Sequence, residues 1–252
     1  MKAIITDLDR TLLHTDKTIS AHTLEALDLC RKKGIQIIAA TARPERAVRM
    51  YQEQAHFDAV ITLNGARCIF SDGYIEEFHI QYESVSHILR RIAKFKDPVI
   101  TLEADSGIYS NVPIPEWEPV VLDDFSQLIS SAKIFKIIVS SKNKDIYDKI
   151  SDIMTDDTYY SIADNELIQI MDRKATKRNA VEAVLKDLGI SREDSVYFGD
   201  DNDDLECIRW CGHGIAVSNA IMPIIYAADD ITASNDEDGV AGYIMKLLES
   251  MA

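Results

Sequence analysis

Near its start the chain reads Ala3-Ile4-Ile5-Thr6-Asp7-Leu8-Asp9-Arg10-Thr11-Leu12. The first four residues predict a short buried strand, with two carboxylates directly off its end. In an extended chain residues i and i+2 share a side, so Asp7 and Asp9 project together. Like charges that close are costly unless one is protonated or a cation sits between them. Ligands of open α/β sheets bind beyond the carboxyl ends of the strands, where this pair stands. The spacing alone says little. D-x-D recurs at Asp201/Asp203 and Asp236/Asp238, about what 27 Asp in 252 residues give by chance. What distinguishes the first pair is its place after an apolar strand.

Working outward, Ser20 is a candidate N-cap for a helix reaching Lys33, with Gly34 as terminator. Residues 35–40 predict a second buried strand. Pro44 starts a helix, a position proline tolerates well, and Ala59-Val60-Ile61-Thr62 predicts a third strand. Continuous apolar strands alternating with helices indicate a parallel sheet covered on both faces. The rhythm then changes. Two short strands meet at Asp72-Gly73, a helix covers residues 84–94, and strands are expected at 99–103, 108–110, 134–140, 158–163 and 167–171. Residues 111–119, with three prolines, read as a loop. This stretch reads as a separate α+β module. From Thr176 the α/β rhythm returns. Val181, Val184, Leu185 and Leu188 form a helical stripe, and strands are expected at 195–198, 214–217 and 230–232. The organisation expected is a core in two parts, residues 1–80 and 174–252, interrupted by a domain at 81–173.

Composition limits the function. Forty-two acidic against 27 basic residues give a net charge of −15. Such a surface repels nucleic-acid backbones and anionic lipid, so neither is an expected partner. An anionic substrate would need a local cation. Cys30, Cys68, Cys207 and Cys211 are too few and scattered for a disulfide framework and read as buried thiols of a reducing compartment. Cys207, Cys211 and His213 carry only a faint metal signal. The first residues lack the ~7–15 apolar residues of a signal peptide, and the stretch 214–228 is interrupted by Ser218, Asn219 and Pro223. A cytoplasmic location is expected.

Three further clusters sit at predicted strand or helix ends. Thr41-Ala42-Arg43 offers a hydroxyl and a guanidinium at a helix start, where an anion is favoured. Lys177 stands in the first turn of a helix capped by Thr176, against the helix dipole, so helix stability does not explain it. Gly199-Asp200-Asp201-Asn202-Asp203-Asp204 is rich in hard oxygen donors suited to Mg²⁺. It is not an EF-hand, because Leu205 and Cys211 occupy the glycine and glutamate positions. P-loop, G-x-S-x-G and H-E-x-x-H motifs are missing.

The order acidic pair, Thr, Lys, acidic loop resembles the haloacid-dehalogenase-like (HAD) superfamily, and within it the Cof-type phosphatases with a large type IIB cap. Asn64-Gly65-Ala66, the stretch from Gly214 to Ala220 and Asp238-Gly239-Val240-Ala241 support the match, which spans almost the whole chain. The resemblance implies a Rossmann-like parallel-sheet core with an inserted α+β cap domain that closes over the cleft. It implies Asp7 as nucleophile, Asp9 as general acid and base, and Thr41, Ala42 and Lys177 as phosphate holders. It implies Mg²⁺ on Asp7, the main-chain oxygen of Asp9, and Asp200. Asp203 and Asp204 would orient the metal's water or Lys177. Arg10, Arg43 and Asn64 are candidate substrate contacts, with Glu116 and Trp117 weaker ones. Three residues depart from the family pattern: Arg10 and Ala42 replace glycines, and Asp203 replaces asparagine. Arg10 either reaches toward the substrate entrance or points to solvent. The function implied is a Mg²⁺-dependent phosphatase of small phosphorylated metabolites, either sugar phosphates or phosphorylated cofactors, working as a monomer or weak homodimer. A phosphohexomutase and a non-catalytic sensor of a phosphorylated ligand are the alternatives; the complete set Asp7, Asp9, Thr41, Lys177 and Asp200 argues against the sensor.

Overall fold

The computed structural model of the chain describes residues 1–70, 72–142, 144–163 and 166–250. It divides into two compact units, Met1–Glu76 with Thr176–Ala252, and Glu77–Ala175.

The first unit is built on an α/β sheet. Its elements in chain order are β1 (Ala3–Thr6), α1 (Ala21–Lys32), β2 (Gln36–Ala40), α2 (Glu45–Ala55), β3 (Ala59–Thr62), β4 (Arg67–Ile69) and β5 (Ile75–Glu77). The insertion follows, with α3 (Tyr82–Ile92), β6 (Val99–Ala104), β7 (Gly107–Ser110), β8 (Val120–Val121), α4 (Ser126–Ser131), β9 (Ile134–Ser140), α5 (Asp145–Lys149), β10 (Thr158–Ala163) and β11 (Leu167–Asp172). The chain then returns through α6 (Lys177–Asp187), β12 (Ser195–Gly199), α7 (Leu205–Trp210), β13 (His213–Val217), α8 (Met222–Ala227), β14 (Asp230–Thr232) and α9 (Gly239–Ser250).

The eight-stranded sheet has the order β14-β13-β12-β1-β2-β3-β4-β5. Pairing is parallel from β14 through β3 and turns antiparallel at β3/β4. Alternation along β1 decides the packing. Ile4 joins an apolar cluster with Leu27, Ile37, Val48 and Ile244, from α1, β2, α2 and α9. Ile5 joins a second cluster with Ile38, Val181, Leu185, Ile208 and Ile224, from β2, α6, α7 and α8. Both faces are therefore dry, as the uninterrupted apolar strands predict. Each buried isoleucine contributes roughly 1.5–3 kcal/mol. The sheet changes direction at β1: the chain passes from β1 to β2 on one side, while β12 returns on the other. Such a reversal opens a crevice at the carboxyl ends of the strands. The Asp7 amide donates to the Phe198 carbonyl at 3.0 Å, which ties the ends of β1 and β12 together there.

The second unit holds a six-stranded sheet of order β10-β11-β9-β6-β7-β8, antiparallel except at β7/β8. One face packs Ile100, Leu102, Ile137, Val139 and Ile168 against Val85, Ile88 and Ile146 of α3 and α5. Alternation turns Thr101, Glu103, Lys136 and Gln169 to the opposite face, where Lys136 Nζ donates to Gln169 Oε1 at 2.8 Å.

No helix of the described residues is long and apolar enough to cross a membrane.

Candidate active site

Asp7, Thr41, Lys177 and Asp200 come from four separate places in the sequence, and the first unit brings all four to the carboxyl ends of its strands. Asp7 follows β1, Thr41 follows β2, Asp200 follows β12, and Lys177 opens α6. All four are buried, Lys177 and Asp200 being 4% and 3% exposed.

Lys177 is the centre of the cluster. Its Nζ donates to Asp7 Oδ1 at 2.6 Å and to Asp204 Oδ1 at 2.7 Å. Thr176 caps its helix by accepting from the Asn179 amide at 3.1 Å, so the first turn that carries Lys177 is held. Gly65 lets that turn come close: a Cβ there would lie 2.3 Å from the Thr176 carbonyl oxygen. Gly199 has a similar role, since its Cβ would meet the Asp204 side chain at 2.6 Å. Asp204 has no freedom to retreat. Its Oδ1 also accepts from Tyr197 Oη at 2.6 Å, and its Oδ2 accepts from the Asp200 and Asp201 amides at 3.0 and 3.2 Å.

Asp7, Asp200 and Asp204 form the group of described side chains able to hold a metal ion, with ligand atoms within 4.8 Å of one another. The hydrogen bonds divide their roles. Both Asp204 oxygens are committed to donors, which leaves Asp7 and Asp200 as the open carboxylates. Three buried carboxylates face one buried ammonium, an excess of two negative charges. Burial, followed by repulsion from Asp204, pushes the Asp200 carboxyl up to about 7. Burial also raises Asp7 well above the usual carboxylate range, with Asp204 and Asp200 adding to it and Lys177 opposing. Burial alone would lower Lys177, but Asp204 and Asp7 outweigh it and hold the ammonium firmly charged. A divalent cation supplies the missing positive charge, and the hard oxygen donors of Asp7 and Asp200 suit one.

Asp9 is turned elsewhere. Its carboxylate accepts from Arg43 Nε and an Arg43 terminal nitrogen at 2.6 and 2.7 Å, and from Lys17 Nζ at 2.8 Å. Burial would raise this carboxyl, but these donors prevail and hold it at about 2. Tyr51 supports the arrangement. Its hydroxyl donates to the Lys17 carbonyl at 3.1 Å, and the Arg43 guanidinium lies 5.2 Å from its ring centre.

The remaining sequence candidates surround this cluster. The Thr41 amide donates to the Ile61 carbonyl, and its Oγ1 accepts from the Arg43 amide at 3.2 Å, leaving the hydroxyl proton available. Ala42 lies between them, half-buried. Asn64, buried with φ of 59°, bonds to the Thr41 carbonyl through its amide and to Asp203 through its side chain. Arg10 neither enters the buried cluster nor points freely to solvent. It is 53% exposed, its Nε lies 3.7 Å from Asp200 Oδ2, and a terminal nitrogen donates to the Asn219 carbonyl at 3.2 Å. Glu116 is exposed and Trp117 half-buried in a turn of the second unit closed by the Trp117 amide on the Ile114 carbonyl. Cys207 and Cys211 are buried free thiols, and His213 Nε2 pairs with Tyr243 Oη at 2.9 Å. A cavity of about 260 Å³ lined by Val48, Gln52, Phe57, Val60, Ile69 and Phe70 contains none of the clustered residues.

Sequence reasoning missed Lys17, Tyr51, Tyr197 and Asn219. It also assigned no separate role to Thr11, whose hydroxyl donates to Asp200 Oδ1 at 3.0 Å. Thr11 and Asn219 stand inside motifs the sequence singles out. Lys17, Tyr51 and Tyr197 carry no such signal.

The chain resembles known proteins over nearly its whole length. A family model described as haloacid dehalogenase-like hydrolase matches residues 4–244. A Bacillus subtilis protein named "Putative phosphatase YxeH" is 27% identical over 273 residues, covering 98% of each chain. The 5-amino-6-(5-phospho-D-ribitylamino)uracil phosphatase YitU of the same organism is 24% identical, covering 96% of this chain and 95% of its own. The fold is shared with the solved phosphatase BT1666 of Bacteroides thetaiotaomicron, at a TM-score of 0.88 and 20% identity, covering 98% of this chain and 94% of that one. The family model spans nearly the whole chain, and the chain belongs to the haloacid dehalogenase-like hydrolases, among their Cof-type phosphatases.

Proposed function

We propose that the protein is a Mg²⁺-dependent phosphatase of small phosphorylated metabolites, working through an aspartyl-phosphate on Asp7. The observation that carries this reading is the buried cluster at the ends of β1 and β12, in which Asp7, Asp200 and Asp204 face the single ammonium of Lys177. The substrate class is supported by the chemistry in YitU's name, a phosphate ester on a ribityl chain.

Asp7 and Asp200, with the main-chain oxygen of Asp9, would hold the cation. When bound, Mg²⁺ neutralises the repulsion between the Asp7 carboxylate and a phosphate dianion. Asp7 attacks phosphorus, forming an O–P bond as the bond to the ester oxygen breaks. Lys177, fixed by Asp204, and the free hydroxyl proton of Thr41 stabilise charge on the phosphoryl oxygens. Asp9 gives a proton to the leaving oxygen, then takes one from the water that cleaves the aspartyl-phosphate. It can act only in a protonated state detached from Arg43 and Lys17, so release of that ion pair belongs to the catalytic cycle.

The test is phosphate release from a panel of sugar phosphates and phosphorylated cofactors, with Mg²⁺ and with chelator, for wild type and Asp7→Asn. Release that needs Mg²⁺ and drops at least ~10³-fold in the variant is expected. A fully active Asp7→Asn protein would refute the mechanism.

A further inference from the structure

Arg10 stands where the family pattern has glycine, and its backbone shows why that is unusual. Its φ is 60°, in the left-handed region, which an arginine occupies at a cost that glycine avoids. The conformation is held from outside. The Asn219 side chain donates to the Arg10 carbonyl at 2.8 Å, and the Arg10 guanidinium donates back to the Asn219 carbonyl at 3.2 Å. Asn219 is fixed in turn by the Asn235 amide, which donates to its Oδ1 at 2.9 Å. This places a permanent positive charge 3.7 Å from Asp200 Oδ2. At that distance the contact is an ion pair and not a hydrogen bond. The other Asp200 oxygen accepts from Thr11, so Oδ2 is the oxygen with no hydrogen-bond donor among the described residues.

We infer that Arg10 is a built-in competitor of the divalent cation. It partly neutralises Asp200 in the metal-free protein and must be tolerated, or displaced, when a cation binds there. The inference rests on the metal reading above and deepens it, since it makes this chain a weaker cation binder than it would be with the usual glycine. A guanidinium a few ångströms from a divalent ion, in water-like dielectric and ordinary salt, weakens binding by about three- to tenfold. The side chain is half-exposed, so screening by salt reaches it.

The test is direct calorimetric titration of Mg²⁺ into the chelator-treated full-length protein, with no substrate present. Arg10→Gln removes the charge with little change of shape, and Arg10→Gly restores the family residue and relieves the backbone. Both should bind Mg²⁺ about three- to tenfold more tightly than wild type, and Arg10→Lys should stay near wild type. The difference should shrink as NaCl rises from low to high concentration, which a purely structural role for Arg10 would not produce. Equal or weaker binding in both Arg10→Gln and Arg10→Gly overturns the inference while leaving the metal reading intact. Lack of Mg²⁺ binding in wild type and variants alike overturns the metal reading and this inference with it. Asp200→Asn, expected to abolish binding, confirms which site is being titrated.

Discussion

At the residue scale, the chemistry depends on where a few charges are allowed to meet. Lys177 is enclosed by two carboxylates that share its burial. Removing one partner of a buried ion pair leaves the other uncompensated, which typically costs about 3–5 kcal/mol. Lys177→Met should therefore lower stability by about that amount in urea unfolding, as well as abolish activity. A loss below about 1 kcal/mol would mean that Asp7 and Asp204 do not depend on it. Asp9 supports a different prediction. A general acid matters most when the leaving oxygen is basic. Asp9→Asn should slow the first step, formation of the aspartyl-phosphate read as single-turnover release of the leaving group, by roughly 10²–10³-fold for an alkyl phosphate and far less for p-nitrophenyl phosphate. Equal losses on both substrates would remove Asp9 from that role. Asp7, Lys177 and Asp200 are legible in the sequence because each stands at a strand or helix end inside a spaced motif. The diversion of Asp9 is not. It depends on Lys17, which a turn closed by His14 and Thr18 presents at φ of 69°, and on Tyr51, a residue of α2 that nothing in the sequence connects to the site.

At the scale of elements, what could be read were the long periodic segments and their caps. Ser20 caps α1 through the Thr23 amide, and Thr176 caps α6, both as the sequence predicts. The elements overlooked are the short ones, β8, α4, α5 and α7. β8 is two exposed valines after a proline-rich loop, and α4 buries none of its six residues, so neither carries an apolar period. Their conformation is decided by neighbours, not by local pattern. The packing of α6 against the Asn64-Gly65 turn gives a test at this scale. A methyl group at Gly65 would collide with the Thr176 backbone, which cannot move without carrying Lys177. Gly73 also has a positive φ, of 85°, but nothing lies within 4 Å of its added Cβ. Gly73→Ala should cost about 1 kcal/mol from backbone strain alone and leave activity intact. Gly65→Ala should cost about 2–3 kcal/mol and at least tenfold in kcat. If the two variants behave alike, the close approach is not what positions Lys177.

For the whole molecule, the sequence makes the α/β class legible through the alternation of apolar strands and helices, but not the surplus of buried negative charge that folding creates at one point in a chain of net charge −15. That surplus ties global stability to pH. Asp200 titrates near 7 in the folded protein because of burial and Asp204, and Asp7 is raised for the same reasons. In the unfolded chain both titrate near 3.9. Between those values the unfolded chain has released protons that the folded protein still holds, so stability falls as pH rises. Asp9, held at about 2 by Arg43 and Lys17 against its burial, works the other way. Its contribution is present above the unfolded value and is lost as pH falls through about 2. The chelator-treated protein should therefore be more stable at pH 5 than at pH 7.5, by about 3–6 °C in Tm. Mg²⁺ takes the place of those protons, so saturating Mg²⁺ should raise Tm at pH 7.5 and do much less at pH 5. Asp200→Asn should flatten both responses, because it removes one excess charge and one ligand together. Melting curves at the two pH values, with and without Mg²⁺, decide the matter. A chelated wild-type protein that gains stability steadily from pH 5 to 7.5 would mean that the carboxylates at the ends of β1 and β12 stay ionised in the folded protein, balanced by Lys177 and Arg10 with no need of protons or a metal ion.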